Sequence, residues 1–210
     1  MKIYFIRHGE TNWNKERKLQ GQIDIPLNEF GRKLAEDTAP FLKDIPFDVV
    51  YTSPLSRAKE TAEIIIGERN VPVIEDVRIR EMGFGAYEGM YCKGEQFNIP
   101  DQNFHYFFDA PEKYSPSGDG ESFEDVSIRL KEFLNDILCD ENLNDKTILI
   151  STHGASLCGI LMLLKNAALK DFWGNGVHKN CAVTFVEVNN KVPEIIWENR
   201  TFYTAEVADW

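Results

Sequence analysis

The sequence predicts an α/β chain, and three observations carry that prediction. Short β-rich apolar runs alternate with segments whose apolar residues recur at helical spacing, the pattern of strands joined by helices. Two of those runs end in the same dipeptide, at His8-Gly9 and at His153-Gly154. The length of 210 residues, set against roughly 150 residues per domain, fits one elaborated α/β domain or two small ones. We take residues 1–210 as a single domain with an insertion at 90–120. With 43% hydrophobic and 27% charged residues, the composition is that of an ordinary globule and excludes disorder as the main state.

Taken in chain order, Ile3 to Ile6 reads as a buried parallel strand that opens into a loop at Arg7-His8-Gly9. Asn28 is the expected N-cap of a helix carrying Phe30, Leu34, Ala35, Phe41 and Leu42 on one face, with Pro40 bending or shortening its last turn. Asp48 to Tyr51 reads as a second strand. Ser53 is then placed to cap, and Pro54 to open, a helix running through Ala58, Ala62, Ile65 and Ile66. Val71 to Ile74 gives a third strand, and Gly83, Gly85 and Gly89 mark loop.

The stretch from Met90 to Gly120 has no clear period but holds Phe97, Phe104, Tyr106, Phe107, Phe108 and Tyr114. It reads as an insertion packed over something. Ser122 and Asp125 have capping-box spacing, and Val126, Leu130, Phe133, Leu134, Ile137 and Leu138 supply the helical stripe that follows. Thr147 to Ser151 is a further strand, ending at Thr152-His153-Gly154 and running into an apolar helix from Ala155 to Leu164. Ala182 to Val188, a turn at Asn189-Asn190, and Pro193 to Trp197 read as two closing strands, which makes about six in all.

Charge narrows the function classes. The chain has 23 basic and 34 acidic side chains, a net charge of −11, which repels polyphosphate backbones and anionic lipid heads. Neither nucleic acid nor membrane is an expected partner. The cysteines at 92, 139, 158 and 181 form no close pair of the zinc-ribbon or redox kind, and the first apolar run is too short for a signal peptide. A reducing, cytoplasmic setting follows as the expectation.

Ligands of open α/β sheets collect beyond the carboxyl ends of the strands, where helix N-termini offer unpaired backbone donors. If the strands ending at Ile6 and Ser151 are neighbours, His8 and His153 face one crevice together with Arg7 and Arg57. Two arginines and two imidazoles at one sheet edge make a phosphate site, because guanidinium forks bind phosphoryl oxygens bidentately and stay cationic.

These residues belong to a longer pattern. Arg7-His8-Gly9-Glu10-Thr11, Asn12-Trp13-Asn14 and Gly21 to Leu27 form one ordered block, and Ser53-Pro54-Leu55-Ser56-Arg57-Ala58 to Ala62 a second. Arg80-Glu81-Met82-Gly83-Phe84-Gly85 with Glu88-Gly89, then Gly120-Glu121-Ser122 and Ser151-Thr152-His153-Gly154, complete the set. The sequence resembles the histidine phosphatase superfamily, also called phosphoglycerate-mutase-like, over most of its length. The resemblance implies a three-layer sandwich, a mainly parallel sheet of about six strands with helices on both faces. It implies that His8 attacks phosphorus through a neutral ring nitrogen to give a phosphohistidine, its other nitrogen held by a backbone carbonyl. Arg7, Arg57 and His153 would surround the transferring group, and Glu81 would protonate the leaving alkoxide and later deprotonate the attacking water. Asn14, Gln20, Gly21, Gly154 and Ala155 are the corresponding substrate-binding positions, Asn14 through its amide group and Ala155 through its backbone N–H. Neither metal nor cofactor enters this mechanism.

Competing readings stand beside these. Glu88 lies in the same loop as Glu81 and is an alternative acid. Asn14 also suits a turn or cap, Glu10 and Thr11 suit loop bracing, and His105 and His178 are read as surface or packing residues. The insertion's aromatics could cover an apolar leaving group or simply fill a core. Gln22 occupies a place where many relatives carry Trp. Between Phe84 and Asp119 six acids face two lysines, poor ground for a bisphosphate, and the Arg-His-Tyr run of the mutase pattern is missing. Hydrolysis of a small phosphomonoester is therefore the expected reaction. The alternatives are a phosphoglycerate mutase, which needs a bisphosphate primer, and a non-catalytic binding relative, in which removing the His8 side chain would be silent.

Overall fold

The computed structural model describes residues 1–207. Six strands form one sheet: β1 (Lys2–Arg7), β2 (Val49–Thr52), β3 (Val73–Glu75), β4 (Thr147–Thr152), β5 (Val183–Asn189) and β6 (Val192–Arg200). Their order is β3-β2-β4-β1-β5-β6. The first four in that order run parallel, and β5 and β6 are added antiparallel. The sheet is thus mixed but mostly parallel, with six strands as the sequence predicts.

Among the described residues the α-helices are α1 (Asn12–Lys15), α2 (Glu29–Leu42), α3 (Ser56–Ile66), α4 (Tyr106–Asp109), α5 (Phe123–Cys139) and α6 (Gly154–Leu164). Side chains alternate across each strand, so Phe5, Ile148 and Ile150 join Phe123, Leu130, Leu157 and Ile160 in one core under α5 and α6. Ile6, Leu149 and Val50 join Leu34, Ala62 and Ile65 in a second core under α2 and α3. Helices therefore cover both faces, and the two apolar layers fix the sheet between them.

Local signals act where the sequence placed them. Asn28 caps α2, its side chain accepting the Gly31 N–H at 2.7 Å. Ser122 and Asp125 close a reciprocal capping box on α5. The β5–β6 hairpin turns on Asn190 and Lys191, both at positive φ (52° and 65°), the backbone a type I′ turn requires, so the turn falls one residue later than the sequence indicated.

Three expectations need correction. Pro54 does not open α3, which starts at Ser56 with Leu55 as its cap residue; Ser53 instead accepts the Leu55 N–H at 3.3 Å. Phe30 and Phe41 are 37% and 60% exposed, off the buried face of α2, and Phe41 stacks on Phe202 at 5.0 Å. The third strand covers only Val73–Glu75 and is exposed along its length, because it is the sheet edge. The region 90–120 is mostly irregular, with α4 and one 3₁₀ turn (Pro111–Lys113) as its regular pieces. Its Phe104, Phe107 and Tyr114 are buried in the α5/α6 core, while Phe97 and Phe108 are exposed. Among the described residues no helix is long and apolar enough to cross a membrane.

Candidate active site

Parallel pairing sets Ile6 beside Ser151 and Arg7 beside Thr152, so the loops leaving β1 and β4 emerge together at the carboxyl edge of the sheet. The His8 and His153 rings lie there with centroids 5.1 Å apart. The His8 backbone carbonyl accepts the Asn180 Nδ2 amide at 2.9 Å, and the Gly9 N–H donates to Thr61 Oγ1 at 2.9 Å. Gly9 has no substitute, since a Cβ there would sit 2.5 Å from the Gly31 carbonyl oxygen.

His8 Nδ1 stands 2.6 Å from the Gly9 carbonyl. A carbonyl only accepts, so the proton is on Nδ1 and Nε2 keeps its lone pair. Burial, reinforced by the Arg57 and Arg7 guanidinium groups, holds the imidazole well below its ordinary value. His8 is therefore neutral at neutral pH.

Arg57, the second residue of α3, is fully buried. Its Nη1 and Nη2 donate to the Ile23 and Gly21 carbonyls at 2.9 and 2.7 Å, and its Nε to His153 Nδ1 at 3.2 Å. Burial lowers its pKa to about 10, which leaves it cationic at pH 7. His153 accepts through Nδ1, so its Nε2 carries the proton and donates to Ser53 Oγ at 2.8 Å. Burial first, then Arg57 and His8, keeps this second ring neutral as well. Arg7 Nη1 donates to the His178 carbonyl. His178 is itself buried, so of the two spare histidines only His105 is at the surface.

Glu81 sits at the N-terminus of α6. Its carboxylate accepts the N–H groups of Met82 (2.9 Å), Ser156 (3.1 Å) and Ala155 (3.3 Å). The Ala155 amide, expected to face a phosphoryl oxygen, is thus held by Glu81. Arg129 of α5 reaches under this loop, donating to the carbonyls of Arg78, Arg80 and Glu81 and to both carboxylate oxygens of Glu121. Glu88 is engaged differently, accepting the backbone N–H groups of Gln22, Ile23 and Phe84 at 2.9, 3.2 and 3.1 Å. It ties the 20–24 loop to the 81–88 loop. Gly21, at φ +53°, would place a Cβ 1.9 Å from Glu88 Oε1, so only glycine serves.

A cavity of about 60 Å³ opens over His8. Arg7, Arg57 and Glu81 line it, as do the five predicted substrate positions Asn14, Gln20, Gly21, Gly154 and Ala155. Asn14 Oδ1 is taken by the Thr11 N–H at 3.0 Å and the Thr11 hydroxyl at 3.2 Å, which leaves its amide nitrogen as the group to offer a ligand. His153 and Glu88 are not among the lining residues; the His153 ring lies against His8 and accepts from Arg57 Nε. Sequence reasoning passed over Lys18, Leu19, Trp173 and Val177 on the wall. Only the insertion's aromatics, of which Phe107 and Phe108 reach the cavity, carried a signal.

A neutral imidazole between two buried arginines, at the strand ends of a mostly parallel sheet, is the equipment of an enzyme that handles phosphoryl groups. The chain belongs to the histidine phosphatase superfamily, branch 1, whose sequence pattern matches residues 3–201. It is 34% identical over 159 residues to the uncharacterized phosphatase PhoE of Bacillus subtilis, covering 76% of this chain and 75% of that one. Among solved structures it is similar to Bacillus stearothermophilus YhfR, with TM-score 0.85, 35% identity and 94% and 96% of the two chains covered. It is also similar to a mutant phosphoserine phosphatase from Entamoeba histolytica in complex with phosphoserine, with TM-score 0.79, 32% identity and 94% and 96% covered. Both phosphatases and phosphoglycerate mutases occur among the named relatives, and the phosphatase names support a phosphatase here.

Proposed function

We propose that this phosphatase hydrolyses a small phosphomonoester through a phosphohistidine on His8, without a metal ion. The observation that carries the reading is the fixed tautomer of His8: Nδ1–H is spent on the Gly9 carbonyl, and Nε2 of a neutral ring is left as the nucleophile. In the first step Glu81 takes the proton carried by the phosphomonoester monoanion and passes it to the departing alkoxide as Nε2 forms a bond to phosphorus and the ester P–O bond breaks. In the second, Glu81 takes a proton from water, the water oxygen bonds to phosphorus, the N–P bond breaks, and inorganic phosphate leaves.

Phosphoryl transfer depends on positioning and charge stabilisation more than on covalent chemistry. Arg7 and Arg57 supply the charge, and the Asn14 amide adds a donor. His153 acts as a positioning residue, accepting from Arg57 Nε and thereby aiming its fork. Glu81 is favoured over Glu88 as the acid because it lines the cavity over His8 and Glu88 does not. Among the described residues no three His, Cys, Asp or Glu side chains form a metal-ligating group.

The test is phosphate release from phenyl phosphate, phosphoserine, sugar phosphates and phosphoglycerates, with EDTA present and with His8→Ala as control. Turnover that survives EDTA, vanishes in the variant and passes through an acid-labile phosphoenzyme is the expected result. Loss of activity in EDTA, or primer-dependent interconversion of phosphoglycerates without phosphate release, would overturn it.

A further inference from the structure

We propose that Asn180 is a positioning residue for the phosphoryl transfer, holding the peptide that orients the nucleophilic ring of His8. The proposal rests on the phosphohistidine reading above and adds to it a residue that is not among those lining the cavity.

The His8 ring is set by the Gly9 carbonyl, 2.6 Å from Nδ1, and that carbonyl must be set in turn. The His8 N–H still bonds to β4, at the Thr152 carbonyl 2.9 Å away. Beyond it the chain leaves the sheet and side chains take over. Asn180 Nδ2 donates to the His8 carbonyl at 2.9 Å. Thr61, its own proton spent on the Arg57 carbonyl at 2.7 Å, accepts the Gly9 N–H at 2.9 Å. The peptide between His8 and Gly9 is thus gripped at both polar atoms, from two different elements. Gly9 has no Cβ to restrict its rotation, so the grip on the preceding peptide decides where the Gly9 carbonyl points. Without it the carbonyl turns away from Nδ1, and the proton can move to Nε2, the nitrogen that must attack.

The turn that carries Asn180 is shaped around the same two residues. The Ala182 N–H closes it on the Lys179 carbonyl at 3.0 Å, with Cys181 at φ +55°. A non-glycine residue in that region is strained and is kept where its surroundings over-determine it. Here the Cys181 N–H donates to the Arg7 carbonyl at 3.0 Å, and the Ala182 carbonyl accepts the Arg7 N–H at 3.3 Å. The His178 carbonyl accepts from the Arg7 fork.

The end of β6 braces the turn from outside. Asn199 Oδ1 accepts the Lys179 N–H at 3.0 Å, and the Tyr203 hydroxyl donates to the Asn180 carbonyl at 2.6 Å. Asn180 itself is 1% exposed. A buried amide is costly unless it is hydrogen-bonded, and the carbonyl that meets this one belongs to the nucleophile.

The experiment compares wild type, Asn180→Ala and Asn180→Asp, the last matching the amide in shape but losing its donor. It reads kcat/KM for phenyl phosphate, the inhibition constant of inorganic phosphate and the ¹⁵N signals of the His8 ring, at about pH 8, where an aspartate is ordinarily ionised. Both variants should lose on the order of 10²-fold in kcat/KM, the scale of a misplacement of about 1 Å. Phosphate inhibition should stay within about threefold, because the guanidinium forks keep their partners and ground-state binding is separate from the transfer step. The two ring signals should approach each other as the proton is shared between Nδ1 and Nε2. Where Asn180→Ala is too unstable to assay, Thr61→Val, which loosens the same peptide from its other end, should show the same split. Unchanged kcat/KM, a loss matched by equally weakened phosphate inhibition, or unmoved ring signals would overturn the assignment. A wild-type enzyme that releases no phosphate from phenyl phosphate would instead overturn the reading on which it rests.

Discussion

Replacing Arg129 with Met should separate the scaffold of the site from its chemistry. Arg129 makes five hydrogen bonds: to the carbonyls of Arg78, Arg80 and Glu81, and to the two carboxylate oxygens of Glu121. The Met side chain keeps much of the stem and removes every donor. Glu121 then retains only the Gly83 N–H at 2.7 Å and Gln22 Nε2 at 3.2 Å, and three carbonyls lose this partner. The pair is 15% and 20% exposed, between the surface ion pairs worth about 0–1 kcal/mol and the buried ones whose breaking costs about 3–5 kcal/mol. A loss of roughly 2–4 kcal/mol follows, read as a shift of the urea midpoint at unchanged slope. Because the clamp includes the Glu81 carbonyl, the carboxyl group should also drift, and a misplacement of about 1 Å costs on the order of 10²-fold in kcat. In a Glu81→Gln background that kinetic loss should disappear while the stability loss remains, since two changes acting through one group do not add. A full kinetic loss in both backgrounds, or a stability change under about 0.5 kcal/mol, would refute the reasoning.

Further outcomes follow from the same geometry. Arg57→Lys keeps the charge but cannot reach Gly21, Ile23 and His153 together, so kcat should fall by about 10²–10³ in a phosphate-release assay, and a loss under about threefold would count against Arg57 as a phosphoryl donor. Glu88→Gln weakens the acceptor of three backbone N–H groups and should lower stability by roughly 1–3 kcal/mol with kcat little changed, whereas Glu81→Gln, which weakens an acceptor of three backbone N–H groups as well, should lower stability and kcat together; an intact kcat in Glu81→Gln with a loss in Glu88→Gln would exchange the roles of the two acids. Burial holds His8, His153 and His178 below their ordinary value in the folded chain. Below about pH 6.5 the unfolded chain therefore takes up protons that the folded chain does not, and stability falls as pH drops, each histidine adding up to about 1.4 kcal/mol per pH unit. Above that pH they add no slope. Urea midpoints between about pH 7.5 and 5.5 should decline in the wild type and more shallowly in His153→Gln, and equal slopes would contradict the buried neutral ring.

Much of the fold was written locally. The β1 and β4 runs are apolar on both faces because helices cover both, and each stops at a His-Gly pair whose backbone must turn out of the sheet. Asn28 and the Ser122–Asp125 box act over three residues, within reach of sequence reasoning. What escaped depends on neighbours distant in the chain. Phe30 and Phe41 fit a helical face by spacing, but the layer beneath α2 is filled by Leu34, Ala35 and Leu42. Pro54 suits the first helical turn, yet Ser53 is drawn to His153 Nε2, and the chain enters α3 two residues later. In the site, Arg7, His8, Arg57 and Glu81 were legible as an ordered pattern of residue types. The hydrogen bonds of His153 to Arg57 and Ser53 were not, because they follow from which ring nitrogen meets which partner. Trp173 and Val177 reach the wall from a segment with no pattern of its own.

The electrostatics also account for the double use of Glu81. Two guanidinium groups, 3% and 0% exposed, sit in a chain of net charge −11, and burying such a pair without an opposing charge is costly. Glu81 is the first charged neighbour that favours the cationic form of both Arg7 and Arg57, and it also occupies the Ala155 amide at the head of α6. A phosphoryl group asks for the same partners: both forks and the same helix end. On the proposed mechanism the substrate therefore replaces Glu81 as the counter-charge and releases its carboxyl from the helix, while Arg129 keeps the peptide that carries it in place. The group displaced by the phosphate is then beside the oxygen that leaves; having taken the proton that a phosphomonoester monoanion brings with it, the carboxyl passes that proton to the departing alkoxide, so one residue is the cavity's anion before substrate binds and its proton donor afterwards.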